Sequence, residues 1–160
     1  MKILTPDVLG ADTEQTVMPN RGKHLAHVIK EFVRAFPRLS TQAGAVNKCK
    51  MASYEAVLYL RQRGFNARLI HLQNCPKPAY PNPHRVWAEK RRDQWSHYVV
   101  GIGHWSIDFT AKQFDATVSM PLIQPLTQVR ALWVEVEDDK FMNHWVKEST
   151  KYRRQQRIKG

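Results

Sequence analysis

Cysteine is scarce in this chain: Cys49 and Cys75 are the only two in 160 residues. Two such thiols make no disulfide framework. No Cys-x-x-Cys or His-Glu-x-x-His pattern offers a zinc site. Glycine is sparse too, with seven residues and no phosphate-cradling cluster. No apolar stretch is long enough to span a bilayer, and the opening segment from Met1 to Gly10 lacks the apolar run of a secretory signal. These absences argue against a disulfide scaffold, a zinc protein, a P-loop enzyme or a membrane span. A reducing, cytoplasmic compartment is expected, where both thiols stay free.

Acidic residues are few as well: 14 Asp and Glu face 25 Lys and Arg, for a net charge of +11. The positive charge concentrates at His84, Arg85, Lys90, Arg91 and Arg92, and again between Lys147 and Lys159. Such a surface attracts acidic protein or nucleic acid. The plain alternative is solvated surface and a frayed tail. No nucleic-acid-binding motif accompanies the charge.

Apolar residues make up 42% of the chain, with five Trp, five Tyr and six Phe. That composition excludes extensive disorder and supports one real core. A single domain over 1–160 is expected, with 1–20 irregular and 150–160 a basic tail. Residues 22–36 carry an apolar stripe at Leu25, Val28, Ile29, Phe32, Val33 and Phe36, the mark of an amphipathic helix ending before Pro37. His24 and His27 share a face of that helix, but nothing joins them as ligands. No metal and no cofactor are expected.

The region 48–63 runs without Gly or Pro and reads as a second helix, with Met51, Tyr54, Val57, Leu58 and Leu60 on its apolar face. Asn47 is its expected N-cap and Gly64 its expected stop. Cys49 then stands in the first turn between Lys48 and Lys50, where the helix dipole and both charges favour a thiolate. Phe65–Leu72 alternates as a strand. Residues 73–94, with Pro76, Pro78, Pro81 and Pro83, read as a long connection bordering a cleft, with a short basic helix over 85–94. Residues 128–136 read as another strand, 137–139 as a turn, and 140–156 as a closing helix.

Trp95–Val100 and Trp105–Phe109 have strand composition and flank Gly101-Ile102-Gly103-His104, a hairpin connection. A turn centred between Ile102 and Gly103 sets His97 directly opposite Asp108 on one face. A carboxylate that holds one imidazole nitrogen leaves the other for a thiol. Cys49, His97 and Asp108 thus form a candidate nucleophile, base and orienter. Cys75 is the competing nucleophile, but it sits at a strand exit with no helix dipole. His104 is the competing base, at the hairpin tip. The bland reading makes Cys49 a small core residue and His97 a strand histidine bonded to Asp108.

The order Cys49, His97, Asp108, with the thiol at a helix start and the others on successive strands, resembles the papain-like and transglutaminase-like cysteine enzymes. The stretch Ile107–Asp115 is similar to the segment after the Asp in the bacterial papain-fold toxin and transglutaminase-like groups. The resemblance covers roughly residues 40–136. The Cys-Gly-Ser-Cys-Trp of papain-type proteases is replaced here by Asn47-Lys48-Cys49-Lys50-Met51. It implies an α+β, papain-like fold, with the nucleophile helix packed on an antiparallel sheet. It implies acyl transfer on amide bonds of a protein substrate: a protease, a deamidase or a transglutaminase-like enzyme. It also implies an oxyanion donor upstream of the Cys, for which Gln42 and Asn47 compete, beside the backbone N–H of Cys49. The rival reading is a basic module that binds nucleic acid or an acidic protein on a catalytically inactive fold.

Overall fold

The computed structural model describes residues 19–75, 79–136 and 144. The expected turn at 137–139, the closing helix and the basic tail lie outside the described residues, His144 apart. Helix α1 (Pro19–Ala35) opens on a proline, whose missing N–H costs nothing there, and ends ahead of Pro37. Pro19 and Asn20 are therefore already helical, inside the segment expected to be irregular. Leu25, Val28, Ile29 and Phe32 form its buried stripe.

A short helix α2 (Gln42–Ala45) follows, capped by Thr41, whose Oγ1 accepts the Gly44 N–H. Gly44 is obligatory: a Cβ there would stand 1.9 Å from the Arg38 carbonyl oxygen. Helix α3 (Cys49–Gln62) ends where Gly64 takes a φ of +88°. Its buried face is Ala52, Ser53, Ala56, Val57, Leu58 and Leu60. Met51, expected in that face, is exposed. Small residues carry the contact instead and let the helix lie close to the sheet.

Among the described residues the sheet has five antiparallel strands in the order β4-β3-β2-β1-β5. They are β1 (Ala67–Gln73), β2 (Ser96–Ile102), β3 (Trp105–Asp108), β4 (Leu122–Pro125) and β5 (Val134–Glu135). The architecture is thus α+β with an antiparallel sheet. Leu69, Val100 and Ile107 pack with α1 and α3 in one core. Ile70, Leu72 and Val99, from alternate positions, enter a second, aromatic core with Trp87, Trp95, Phe114 and Trp133.

Two sequence expectations are corrected here. Residues 128–136 do not form one strand. Helix α5 (Leu126–Leu132) occupies most of that span, and only Val134 and Glu135 pair with β1. The β-branched and aromatic residues disguised a helical spacing: Leu126, Val129 and Trp133 are the buried ones. The 73–94 connection is not an open loop either. It contains helix α4 (Arg85–Ala88) and a 3₁₀ turn over Arg92–Gln94, in place of one basic helix. Trp87 and Trp95 bury it in the aromatic core, and His84 N–H donates to the Gln113 carbonyl.

Candidate active site

The β2–β3 hairpin turns on Gly103, at a φ of +55°, and His104. Ile102 pairs with Trp105, Gly101 with Ser106 and Val100 with Ile107. This register differs from the expected one, in which His97 faced Asp108 directly. Continued, it sets Val99 opposite Asp108 and leaves His97 diagonal to it. The turn takes Gly103 and His104 as its centre because glycine accepts the positive φ that Ile102 resists. The change moves the register by two positions, so His97 and Asp108 still share a face.

The diagonal is closed by the side chains. His97 Nε2 lies 2.6 Å from Asp108 Oδ2, and the pair is buried. The other oxygen, Oδ1, accepts the Thr110 N–H at 3.0 Å. The carboxylate is thereby held at both ends. His97 is 1% exposed. Phe114 meets its ring edge to face at 4.6 Å between centroids, and Trp133 lies at 5.5 Å. These aromatic walls fix the imidazole and exclude water from it.

Cys49 reaches this pair because β2 outruns its ladder with β3. Tyr98 lies beyond that ladder, and its backbone is taken up by α3. The Ser53 hydroxyl donates to the Tyr98 carbonyl at 2.9 Å. The Tyr98 N–H donates to the Cys49 sulfur. Cys49 and Ser53 are one helical turn apart, so the first turn of α3 docks on the strand beside His97.

Nε2 is committed to Asp108, which leaves Nδ1 for the thiol. Nδ1 is buried with no close hydrogen-bond partner among the described residues, yet His97 and Cys49 interact through charge and hydrogen bonding. The contact is therefore a loose one, as nucleophile–base contacts in substrate-free sites commonly are. Burial pushes the Cys49 thiol up, but the hydrogen bond and charge of His97 and the Tyr98 N–H outweigh it, and the net shift is downward. Burial pushes the imidazole down. The Asp108 charge and hydrogen bond, then Cys49, reverse this and raise it to about 10. Both shifts favour a thiolate beside an imidazolium.

The remaining candidates separate clearly. Gln42 is not turned to the thiol by any described contact. Its Nε2 donates to the carbonyls of Asn82 at 2.9 Å and Lys112 at 3.0 Å, which occupies both amide hydrogens. Asn47 is not the N-cap of α3. It takes a left-handed φ of 58°, and Lys48 is the cap residue, whose side chain makes no capping hydrogen bond. Cys75 is fully buried in the aromatic core, where desolvation pushes its thiol up to about 12, so it is inert. His104 is exposed at the hairpin tip. His27 pairs with Glu31 at 3.0 Å and His24 stacks on Phe65. Among the described residues no cluster of three or more His, Cys, Asp or Glu could hold a metal ion.

Several contributors had little or no sequence signal. Thr110, two residues after Asp108, fits the pattern of an Asx turn and could have been read from its spacing. Tyr98 N–H, Phe114, Trp133 and Gln113 could not, because their roles come from packing across separate elements. No described helix is long and apolar enough to cross a membrane. No protein-family model, curated protein or solved structure gives a significant match to this chain.

Proposed function

We propose that this chain is a papain-like cysteine enzyme that transfers acyl groups from amide substrates, with Cys49 as nucleophile, His97 as base and Asp108 as orienter. The observation that carries the reading is the split use of one buried imidazole. Its Nε2 is held 2.6 Å from a doubly bonded carboxylate, and its other nitrogen is left for a thiol at a helix start. The helix-on-antiparallel-sheet arrangement agrees with such a fold.

The chemistry follows from the charges. The Cys49 thiolate attacks the amide carbonyl carbon, and the electron pair of the C=O moves to oxygen. The uncapped first turn of α3 offers the Cys49 N–H to that oxyanion. His97, as imidazolium, gives its proton to the leaving amine, and the C–N bond breaks to leave a thioester. Water, deprotonated by His97, then attacks the thioester and releases a carboxylic acid and the thiolate. A backbone amide gives proteolysis, a side-chain amide gives deamidation with release of ammonia, and an incoming amine gives transamidation.

A protein substrate with acidic character fits the basic surface. Arg91 and Arg92 line an open cleft of about 440 Å³ with Asn74, Asp93 and Val134. The second reading, a basic binding module on an inactive fold, draws on the same charge. Trapping decides between them. The chain is incubated with a library of peptide and glutamine amides, quenched in acid, and mapped by mass spectrometry. A thioester on Cys49, absent in Cys49→Ser, supports the enzyme. No acyl adduct and no thiolate character at Cys49 would leave the binding module.

A further inference from the structure

We propose that Gln113 is a positioning residue that ties the backbone just before the nucleophile to the loop that holds the orienting carboxylate, and so sets the distance between thiol and imidazole. This rests on the catalytic reading above. Gln113 is 0% exposed, an uncommon place for a primary amide. Its Oε1 accepts the backbone N–H of Asn47 at 3.2 Å and the indole N–H of Trp87 at 2.9 Å. Its Nε2 donates to Thr110 Oγ1 at 3.1 Å. The Thr110 N–H in turn donates to Asp108 Oδ1. A continuous chain of hydrogen bonds therefore runs from Asn47, two residues before Cys49, through Gln113 and Thr110 to Asp108 and His97.

The geometry gives this chain a specific task. Cys49 and His97 belong to different elements, and their own contact is loose. The cap residue of α3, Lys48, makes no side-chain capping bond, so the turn leading into the helix needs another anchor. Asn47 stands there in a left-handed conformation, with its N–H fixed by Gln113. Loss of that anchor loosens the nucleophile turn against the Asp108 loop, leaving Gln42 on the Lys112 carbonyl and Ser53 on the Tyr98 carbonyl as the more distant ties, and removes no group that meets substrate. The charged groups that act on the thiol are His97 from β2 and Asp108 from β3; Lys48 and Lys50 flank it in sequence, and the Lys50 ammonium lies over the Tyr98 ring at 5.7 Å. Phe114 and Trp133 face the imidazole and carry no charge.

The test is the pH dependence of Cys49 alkylation by iodoacetamide in the full chain, followed by peptide mapping, which needs no substrate. Gln113→Leu removes all three bonds at similar volume. Thr110→Val removes only the link toward Asp108 and covers the case in which the first variant fails to fold. Trp87→Phe removes one bond to Gln113 but leaves the Asn47–Gln113–Thr110 path whole, and so reports a purely structural effect. In the variants that fold, Gln113→Leu and Thr110→Val are expected to raise the alkylation midpoint by about one pH unit, which is roughly tenfold slower labelling at mildly acid pH. Trp87→Phe is expected to lower thermal stability and leave the midpoint unchanged. Folded Gln113→Leu or Thr110→Val protein with the wild-type midpoint would overturn the inference, as would an equal shift in Trp87→Phe. If wild-type Cys49 itself titrates like an ordinary thiol, the catalytic reading fails first, and the result is distinguishable by that control.

Discussion

His97 and Asp108 meet at 2.6 Å although the backbone places them diagonally, not opposite, across β2 and β3. A diagonal pair on an antiparallel sheet is about 7–8 Å apart at the backbone, within reach of an imidazole and a carboxylate together. The diagonal also draws His97 toward the end of β2 that has outrun β3. That is where the first turn of α3 docks through Ser53 on the Tyr98 carbonyl.

The shifted pair predicts a pH window. Cys49 should alkylate below the usual thiol pKa of 9.0, because its own is lowered, and the ion pair should persist upward until His97 deprotonates. The linked stabilities have opposite signs. His97, raised in the fold, contributes fully below its ordinary 6.5 and loses that contribution as pH climbs to about 10. Cys49, lowered in the fold, contributes above 9.0 and loses that contribution as pH falls through its folded value. Ultraviolet thiolate absorbance of wild type minus Cys49→Ser checks this; a midpoint at or above the ordinary thiol value counts against the ion pair. Cys75 should stay unlabelled while the protein is folded.

His97→Gln should lower amide turnover by about 10²–10⁴-fold, the usual loss for a general base. Gln is the better test than Ala. An alanine would open a cavity between Phe114 and Trp133 and strand the Asp108 carboxylate, at a cost of several kcal/mol. Turnover and circular dichroism of the same preparation separate chemistry from folding. Wild-type turnover in folded His97→Gln protein would remove His97 from the mechanism.

Asp108→Asn should cut turnover less completely and move the alkylation midpoint of Cys49 upward. The amide can still accept the Thr110 N–H, but it no longer holds positive charge on the imidazole, and that loss outweighs the smaller relief from the carboxylate's own repulsion of the thiolate. An unchanged midpoint in the folded variant would mean that Asp108 only braces the loop.

Gln42→Ala should lower stability and leave thiol labelling unchanged. Both its amide hydrogens join loops, at Asn82 and Lys112. Two lost hydrogen bonds, partly exposed, are worth roughly 1–3 kcal/mol. A drop of about 10²-fold or more in kcat, with stability and labelling intact, would restore Gln42 as an oxyanion donor.

Truncation after Thr150 removes Lys151, Arg153, Arg154, Arg157 and Lys159, five positive charges. Binding of an acidic partner should weaken and lose part of its salt dependence, since exposed charges are screened over about 8 Å at physiological ionic strength. Cys49 labelling should not change. Titration calorimetry with a poly-glutamate peptide across a salt series measures it. Equal, salt-independent affinity in both forms would reduce the charge to mere solvation.

The sequence by itself determined the elements whose signals are local. Helical periodicity marked α1 and α3, Gly64 marked where α3 stops, and two glycines marked the β2–β3 hairpin. Parity along the strands put His97 and Asp108 on one face, and the observed register keeps them there because it differs from the expected one by two positions rather than one. The first-turn position of Cys49 was legible for the same reason: it depends only on where a helix begins. The tertiary structure alone decided the rest. Strand β4 and helix α5 carry short, mixed patterns whose identity depends on what they pack against. Chain distance leaves Gln42 and Asn47 as competing candidates for an oxyanion donor, while hydrogen bonds with remote loops claim the Gln42 amide and the Asn47 backbone. Gln113, Phe114 and Trp133 stand around the site because several elements converge there, and convergence leaves no mark on any one segment. Chain order can supply a thiol, an imidazole and a carboxylate, but their spacing, and hence their charges, comes only from the packing that brings them together.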